Sequence, residues 1–298
     1  MPSDPAKEDP PPPRYKDAQE AARIYFLPNL ATAGNLFFGF VAMIFCIQAR
    51  YVAEDEAVND LYTKAVWCIL LAAVCDALDG RLARLGGRES LFGKEFDSIA
   101  DTVSFGVAPA LMVFFLILSP ESEWYSEPFR QVGWFIGFVY LLCVAVRLAR
   151  FNVLTSPLLP GVAPDAAMKD FMGLPSPAAA GFVASLALVL LHLELRQWRL
   201  LLVPLLLLVA LLMVSNIPYP SFKYIGWQTQ TKARTFIMLV VLVAIVILLR
   251  EYSFSILFLW YIFYGLFRYY RRALRKRRQR AGEAVADVDD EPETEDAF

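Results

Sequence analysis

Asp76-Ala77-Leu78-Asp79-Gly80-Arg81-Leu82-Ala83-Arg84, continued by Gly93, Asp97 and Asp101, places four carboxylates at the ends of two strongly apolar stretches. Each ionised aspartate costs about 2.5–3.5 kcal/mol at the centre of a membrane helix, so the four together require a counter-charge or a water-filled cavity. Side chains three and four apart stack on one helix face. Asp76, Asp79, Gly80, Ala83 and Arg84 therefore share one stripe, and Gly93, Asp97 and Asp101 share another. The polar run Gly86-Gly87-Arg88-Glu89-Ser90 lies between them as a turn. Two hairpinned helices would bring all four carboxylates together.

The surrounding composition places this cluster in a membrane. Of the 298 residues, 57% are hydrophobic, and a mean hydropathy of +0.46 is too high for a soluble domain. The net charge of −2 hides a segregated distribution. Arg271, Arg272, Arg275, Lys276, Arg277, Arg278 and Arg280 form a basic block, and an acidic tail runs from Glu283 to Asp296. Cys46, Cys68, Cys75 and Cys143 sit in apolar segments without a CxxC pair, which suggests neither a disulfide framework nor a zinc site. His192, the single histidine, sits at an expected helix end beside Glu194, which argues against a Ser/His/Asp triad or a histidine metal cluster.

Met1 to Pro13, with its run Pro10 to Pro13, reads as a disordered leader. From Arg14 to Phe26 an amphipathic pattern suits a helix lying along the headgroups. At about 20 apolar residues per span, helices are expected near 29–49, 61–85, 95–118, 132–152, 174–194, 198–216, 233–250 and 254–271. The fold class is thus all-α, a polytopic membrane bundle of about eight helices. Connections carrying Arg81, Arg84, Arg88, Lys94, Arg147, Arg150, Lys169, Lys223, Lys232 and Arg234 face the cytoplasm by the positive-inside rule, and both termini follow. The cell (inner) membrane is the expected location. The organisation is a leader over 1–27, a catalytic core over 28–232, two further membrane helices over 233–272 and a basic-then-acidic tail over 273–298. The tail after Ala281 is expected to be solvated and disordered.

Paired carboxylates on adjacent helices offer hard oxygen ligands suited to Mg²⁺ or Mn²⁺, and two such ions can clamp a pyrophosphate. Gly80 and Gly93, and to a smaller degree Ala83, remove side chains where a phosphate or nucleotide must approach. Arg81 and Arg84 supply cationic hydrogen bonds to phosphate oxygens. Asn29 and Thr32 on the first helix are candidates to face a cytidine. The site reads as one for a phosphorylated substrate. A cation transporter with carboxylates along an ion path is the alternative from another class, although no acidic ladder continues across the bilayer.

The full string resembles the signature of the CDP-alcohol phosphotransferase family, DxxDGxxAR(x)8GxxxDxxxD, at every fixed position. That resemblance implies a six-helix core, here with two added helices, and a di-metal site made by Asp76, Asp79, Asp97 and Asp101. It further implies transfer of a phosphatidyl group from a CDP-linked lipid to an alcohol with release of CMP. Asp101 resembles the ligand that is also the general base, and Gly80, Ala83, Arg84 and Gly93 resemble nucleotide-contacting positions. A homodimer is implied as well, and no nucleic-acid partner.

Pro28-Asn29-Leu30, Ser104 to Pro109, Arg147 to Asn152, Phe171 to Pro177 and Met213 to Ser221 look like the membrane-bound phosphatidylserine synthase branch. This implies CDP-diacylglycerol and L-serine as substrates. The carboxylate of serine needs a cation not committed to phosphate: Arg150 is the first choice, with Arg147 and Lys223 as alternatives. Asn152, then Ser215 and Ser104, are candidates for hydrogen bonds around the amino acid or nucleotide. A CDP-archaeol donor, or glycerol phosphate, inositol phosphate or choline as acceptor, remains open.

Overall fold

The computed structural model describes residues 26–86, 90–118, 133–154, 170–193, 196–220 and 251–289. Helix α1, Phe26–Gln48, contains no charged residue, and its 23 residues reach across a hydrocarbon layer of about 30 Å. Helix α2, Asp55–Gly86, starts earlier than the apolar window near 61. Asp55 and Glu56 in its first turn complement the helix dipole, and Lys64 pairs with Asp60 at 2.6 Å one turn apart.

Helix α3, Leu91–Leu118, is opened by Ser90, whose hydroxyl oxygen accepts from the Gly93 amide at 3.0 Å. Its continuity is broken by two π-helical turns, Thr102–Val107 and Phe114–Leu118. Pro109 follows the first of them and has no N–H to offer the carbonyl of Phe105 one turn back. The Tyr140 hydroxyl donates to that carbonyl instead, at 3.0 Å. A proline-interrupted segment inside the bilayer is thus tolerated because a neighbouring helix satisfies the backbone group it leaves over.

Tyr140 belongs to α4, Gly133–Leu154. Helix α5, Ser176–His192, follows, then a 3-10 turn, Arg196–Leu201, leading into α6, Leu202–Val214. The last helix, α7, spans Glu251–Asp289. Helices α1, α3, α4 and the Asp55–Ala83 part of α2 are long and apolar enough to cross a membrane, and α5 and α6 are shorter apolar helices. The chain is a polytopic helical membrane protein. The expected helix over 233–250, Lys223 and the leader before Phe26 lie outside the described residues.

Two features differ from the sequence reading. Helix α7 runs through the basic block into the acidic tail as far as Asp289, where a disordered segment was expected after Ala281. Arg, Lys, Gln, Ala and Glu dominate that stretch and are strong helix formers. The other is a small antiparallel ribbon of β1, Asp170–Met172, and β2, Pro218–Pro220, with Phe171 opposite Tyr219. Gly173 leaves β1 at a φ of 79°, and a Cβ there would strike the Met213 carbonyl oxygen, so the turn that joins the ribbon to α5 requires glycine.

Helices α1 and α2 form the most extensive pairing, α7 lies on α5, and α4 lies on α6. Tyr140, Phe105, Ile69 and Met112 are among the largest buried side chains, whereas Phe37, Trp67, Trp134 and Leu211 are exposed. Exposed bulky apolar groups are what lipid contact requires of such a bundle.

Candidate active site

The stripe on α2 emerges as a difference in burial. Asp79 is buried and Asp76, Gly80 and Ala83 are half-buried, while Ala77, Leu78, Arg81 and Leu82 are exposed. On α3, Asp101 is buried and Gly93 and Asp97 are half-buried, whereas Phe92, Glu95 and Ile99 are exposed. The two stripes face one another. A carboxylate oxygen from each of Asp76, Asp97 and Asp101 lies within 4.8 Å of the others. Oxygens this close, if ionised, repel by roughly 3–4 kcal/mol per pair at an effective dielectric of about 20.

The same cluster holds an atom that calls for a ligand. Asp97 Oδ1 is buried with no hydrogen-bond partner, which is costly for an anionic oxygen unless a cation takes its lone pairs. Hard oxygens at this spacing, one of them uncommitted, fit a divalent ion. Asp79 stands beside this group with its Oδ2 accepting from the Thr32 hydroxyl at 2.8 Å. Thr32, considered from sequence for the cytidine, thereby ties α1 to α2. Asn29 and Gly93, both nucleotide candidates, are brought together, since a Cβ on Gly93 would stand 3.5 Å from Asn29 Oδ1.

Asn35, on α1, was not singled out from the sequence. It is fully buried, and its side-chain amide donates to Asp101 Oδ1 at 3.0 Å. The backbone carbonyl of Asn35 accepts from the Ser104 hydroxyl at 2.9 Å, on the π-helical turn that follows Asp101. One helical turn along, Gly39 makes this approach possible, because a Cβ there would collide with Ser104. A signal existed: Asn29, Thr32 and Asn35 recur at intervals of three in an otherwise apolar segment.

The acceptor candidates divide sharply. Arg147 donates from Nη1 to the Ser176 hydroxyl oxygen at 2.7 Å, and its Nε is buried without a partner among the described residues. Arg150 is turned towards the ribbon, donating from Nη2 to Asn216 Oδ1 at 2.6 Å and from Nη1 to the Val214 carbonyl at 3.4 Å. Asn152 donates to Ser98 Oγ at 2.9 Å, and its carbonyl accepts from Lys94 at 3.0 Å. Ser215 closes the end of α6 by donating to the Leu212 carbonyl at 2.7 Å. Arg84 lies on α2, but its side chain, like Lys223, is outside the described residues.

A family model described as CDP-alcohol phosphatidyltransferase matches residues 25–214. The chain is 31% identical over 248 residues, 83% of its length and 92% of the relative's, to a CDP-diacylglycerol–serine O-phosphatidyltransferase of Helicobacter pylori. It is 33% identical over 205 residues, 68% of this chain and 73% of the relative, to an archaetidylserine synthase of Methanothermobacter thermautotrophicus. A Saccharomyces cerevisiae protein named CDP-diacylglycerol–serine O-phosphatidyltransferase is 37% identical over 161 residues, 54% of this chain and 53% of the relative.

Proposed function

The chain belongs to the CDP-alcohol phosphatidyltransferase family, and from that membership we propose that it transfers a phosphatidyl group from CDP-diacylglycerol to the hydroxyl of L-serine, releasing CMP. The observation that carries the reading is the convergence of Asp76, Asp97 and Asp101 within electrostatic reach of Arg147, a half-buried arginine whose buried Nε has no partner among the described residues. An acidic cluster alone suits any diphosphate substrate. The half-buried guanidinium of Arg147 adds a planar cation suited to a carboxylate.

In this reading Asp76, Asp79, Asp97 and Asp101 hold two divalent cations, Mg²⁺ or Mn²⁺. The chemistry these supply when bound is neutralisation of charge on the diphosphate and on the departing CMP. Asn29 and Thr32 line the nucleotide side with Gly80, Ala83 and Gly93, whose small side chains permit close approach, and Arg81 and Arg84 address phosphate oxygens. Asp101 takes the proton from the serine hydroxyl as that oxygen bonds to the lipid-bearing phosphorus. The bond from this phosphorus to the CMP oxygen breaks, and CMP leaves with the electron pair. Asn35 keeps one carboxylate oxygen of Asp101 occupied, which leaves the other for the hydroxyl.

Arg147, rather than Arg150, is assigned the serine carboxylate, because Arg150 is already held by Asn216 and the α6 carbonyl end. Asn152 braces α4 against α3 through Ser98 and Lys94, a supporting position. The charged connections of the sequence support a site at the cytoplasmic edge of the cell membrane with both termini on that side, and the family resemblance supports a homodimer.

The test is an acceptor and donor panel on the purified protein. Labelled serine should enter lipid with CDP-diacylglycerol, and glycerol phosphate, inositol phosphate and choline should not; CDP-archaeol is included to define the donor. Absence of serine incorporation with every CDP-lipid would remove the assignment. Arg147→Met should raise KM for serine roughly ten- to hundredfold, the worth of a hydrogen bond to a charged group, and Arg147→Lys should recover part of it. A fall confined to kcat, with KM unchanged, would show that the arginine does not bind the acceptor.

A further inference from the structure

Besides Asp97 Oδ1, two buried polar atoms on the helices around Asp101 are left without partners among the described residues, and they have opposite character: Asn35 Oδ1 accepts and Arg147 Nε donates. The orientation of the Asn35 amide follows from chemistry. A carboxylate can only accept, so the end that meets Asp101 Oδ1 at 3.0 Å must be the NH₂. The carbonyl end is therefore the one left over. It has no partner among the described residues, and it cannot shift far. The Ser104 hydroxyl grips the backbone at Asn35, and the close approach of Gly39 to Ser104 leaves no slack in that turn.

A buried carbonyl kept rigid and unpartnered beside a reacting group is a site for a donor that arrives with the substrate. Which donor follows from the chemistry of serine: its carboxylate only accepts and suits the Arg147 guanidinium, so its ammonium is the end that can donate to Asn35 Oδ1.

Resting on the serine reading above, we propose that Asn35 determines acceptor specificity with both ends of its amide: its NH₂ holds Asp101, and its Oδ1 receives the α-ammonium of the incoming amino acid. The zwitterion is then held at two ends, by Arg147 at the carboxylate and by Asn35 at the ammonium, with its hydroxyl directed to Asp101. An amino alcohol without a carboxylate, or a hydroxy acid without an amine, satisfies only one of the two.

The experiment compares L-serine with 3-hydroxypropanoate, which is serine lacking the ammonium, in the full-length protein with CDP-diacylglycerol. Wild type should favour serine roughly ten- to hundredfold in KM over the inhibition constant of 3-hydroxypropanoate. Asn35→Ala should erase that preference by raising KM for serine while leaving the affinity for 3-hydroxypropanoate in place, and kcat should fall as Asp101 loses its donor. A merely structural role would weaken both ligands alike. Should Asn35→Ala fail to fold, Asn35→Asp carries the comparison: it keeps an acceptor for the ammonium but loses the donor to Asp101, so preference for serine should persist while kcat drops. A serine preference that survives in Asn35→Ala, or an unchanged kcat in Asn35→Asp, overturns the proposal. A wild type that transfers nothing to serine overturns the serine reading itself, which is a different outcome.

Discussion

Asp101→Asn should reduce phosphatidyl transfer by at least roughly a thousandfold, within the range expected for loss of a positioned general base, while the bundle stays folded. The substitution is nearly isosteric, and its remaining carbonyl oxygen can still accept from Asn35 as Asp101 Oδ1 does now at 3.0 Å. The bond between α1 and α3 therefore survives, and so does the Ser104 contact on the following turn. What disappears is the group able to take the hydroxyl proton, together with one of the three clustered anionic oxygens. Turnover of labelled serine should vanish, thermal unfolding should stay near the wild-type temperature, and much of the CDP-lipid binding should remain. Near-normal turnover would remove Asp101 as the base; loss of the folded state would show instead that the charge of the Asp101 carboxylate is structural.

The elements that could be read from sequence are those whose signal is local. Asp76, Asp79, Gly80 and Ala83 face inward and Ala77, Leu78, Arg81 and Leu82 outward, as a 3.6-residue period dictates. The apolar windows likewise located α1, α3 and α4 within a few residues. Asn35 escaped because a hydropathy window averages over a lone amide, and because its partner Asp101 lies 66 positions away. Arg147 and Arg150 were grouped by spacing, but residues three apart differ by about 60° around the axis and about 4.5 Å along it. At the end of α4 that displacement puts Arg147 on Ser176 inside the bundle and Arg150 on Asn216 at its rim. The ribbon was hidden for a different reason: Pro218 and Pro220 argue against a strand, and its pairing with Asp170–Met172 joins segments far apart in the chain.

The site's architecture distributes its parts so that no single helix is sufficient. Helix α1 brings Asn35 and Thr32, α2 brings Asp76 and Asp79, α3 brings Asp97 and Asp101, and α4 brings Arg147. Polar side chains that would each be expensive in lipid are thereby gathered into one internal cluster. Small residues permit this gathering, as Gly39 does where α1 meets Ser104.

Removal of divalent ions should have an effect as large as loss of Asp101. With three carboxylate oxygens within 4.8 Å and Asp97 Oδ1 buried without a partner, the cluster is poorly balanced by protein groups alone. Exhaustive chelation should silence transfer, and added Mg²⁺ or Mn²⁺ should restore it. The same ions should raise the thermal unfolding temperature, since a ligand at a hundredfold excess over its Kd stabilises the folded state by about 2.7 kcal/mol. Asp97→Asn and Asp76→Asn should weaken that stabilisation and require more ion for half-maximal turnover, because each removes one anionic donor from the group. The two readouts separate binding from chemistry: a thermal response lost in both variants would place the ion on these oxygens even where activity is too low to follow. Full turnover after chelation, or a thermal response identical in wild type and both variants, would mean that the aspartates face one another for some purpose other than holding a cation.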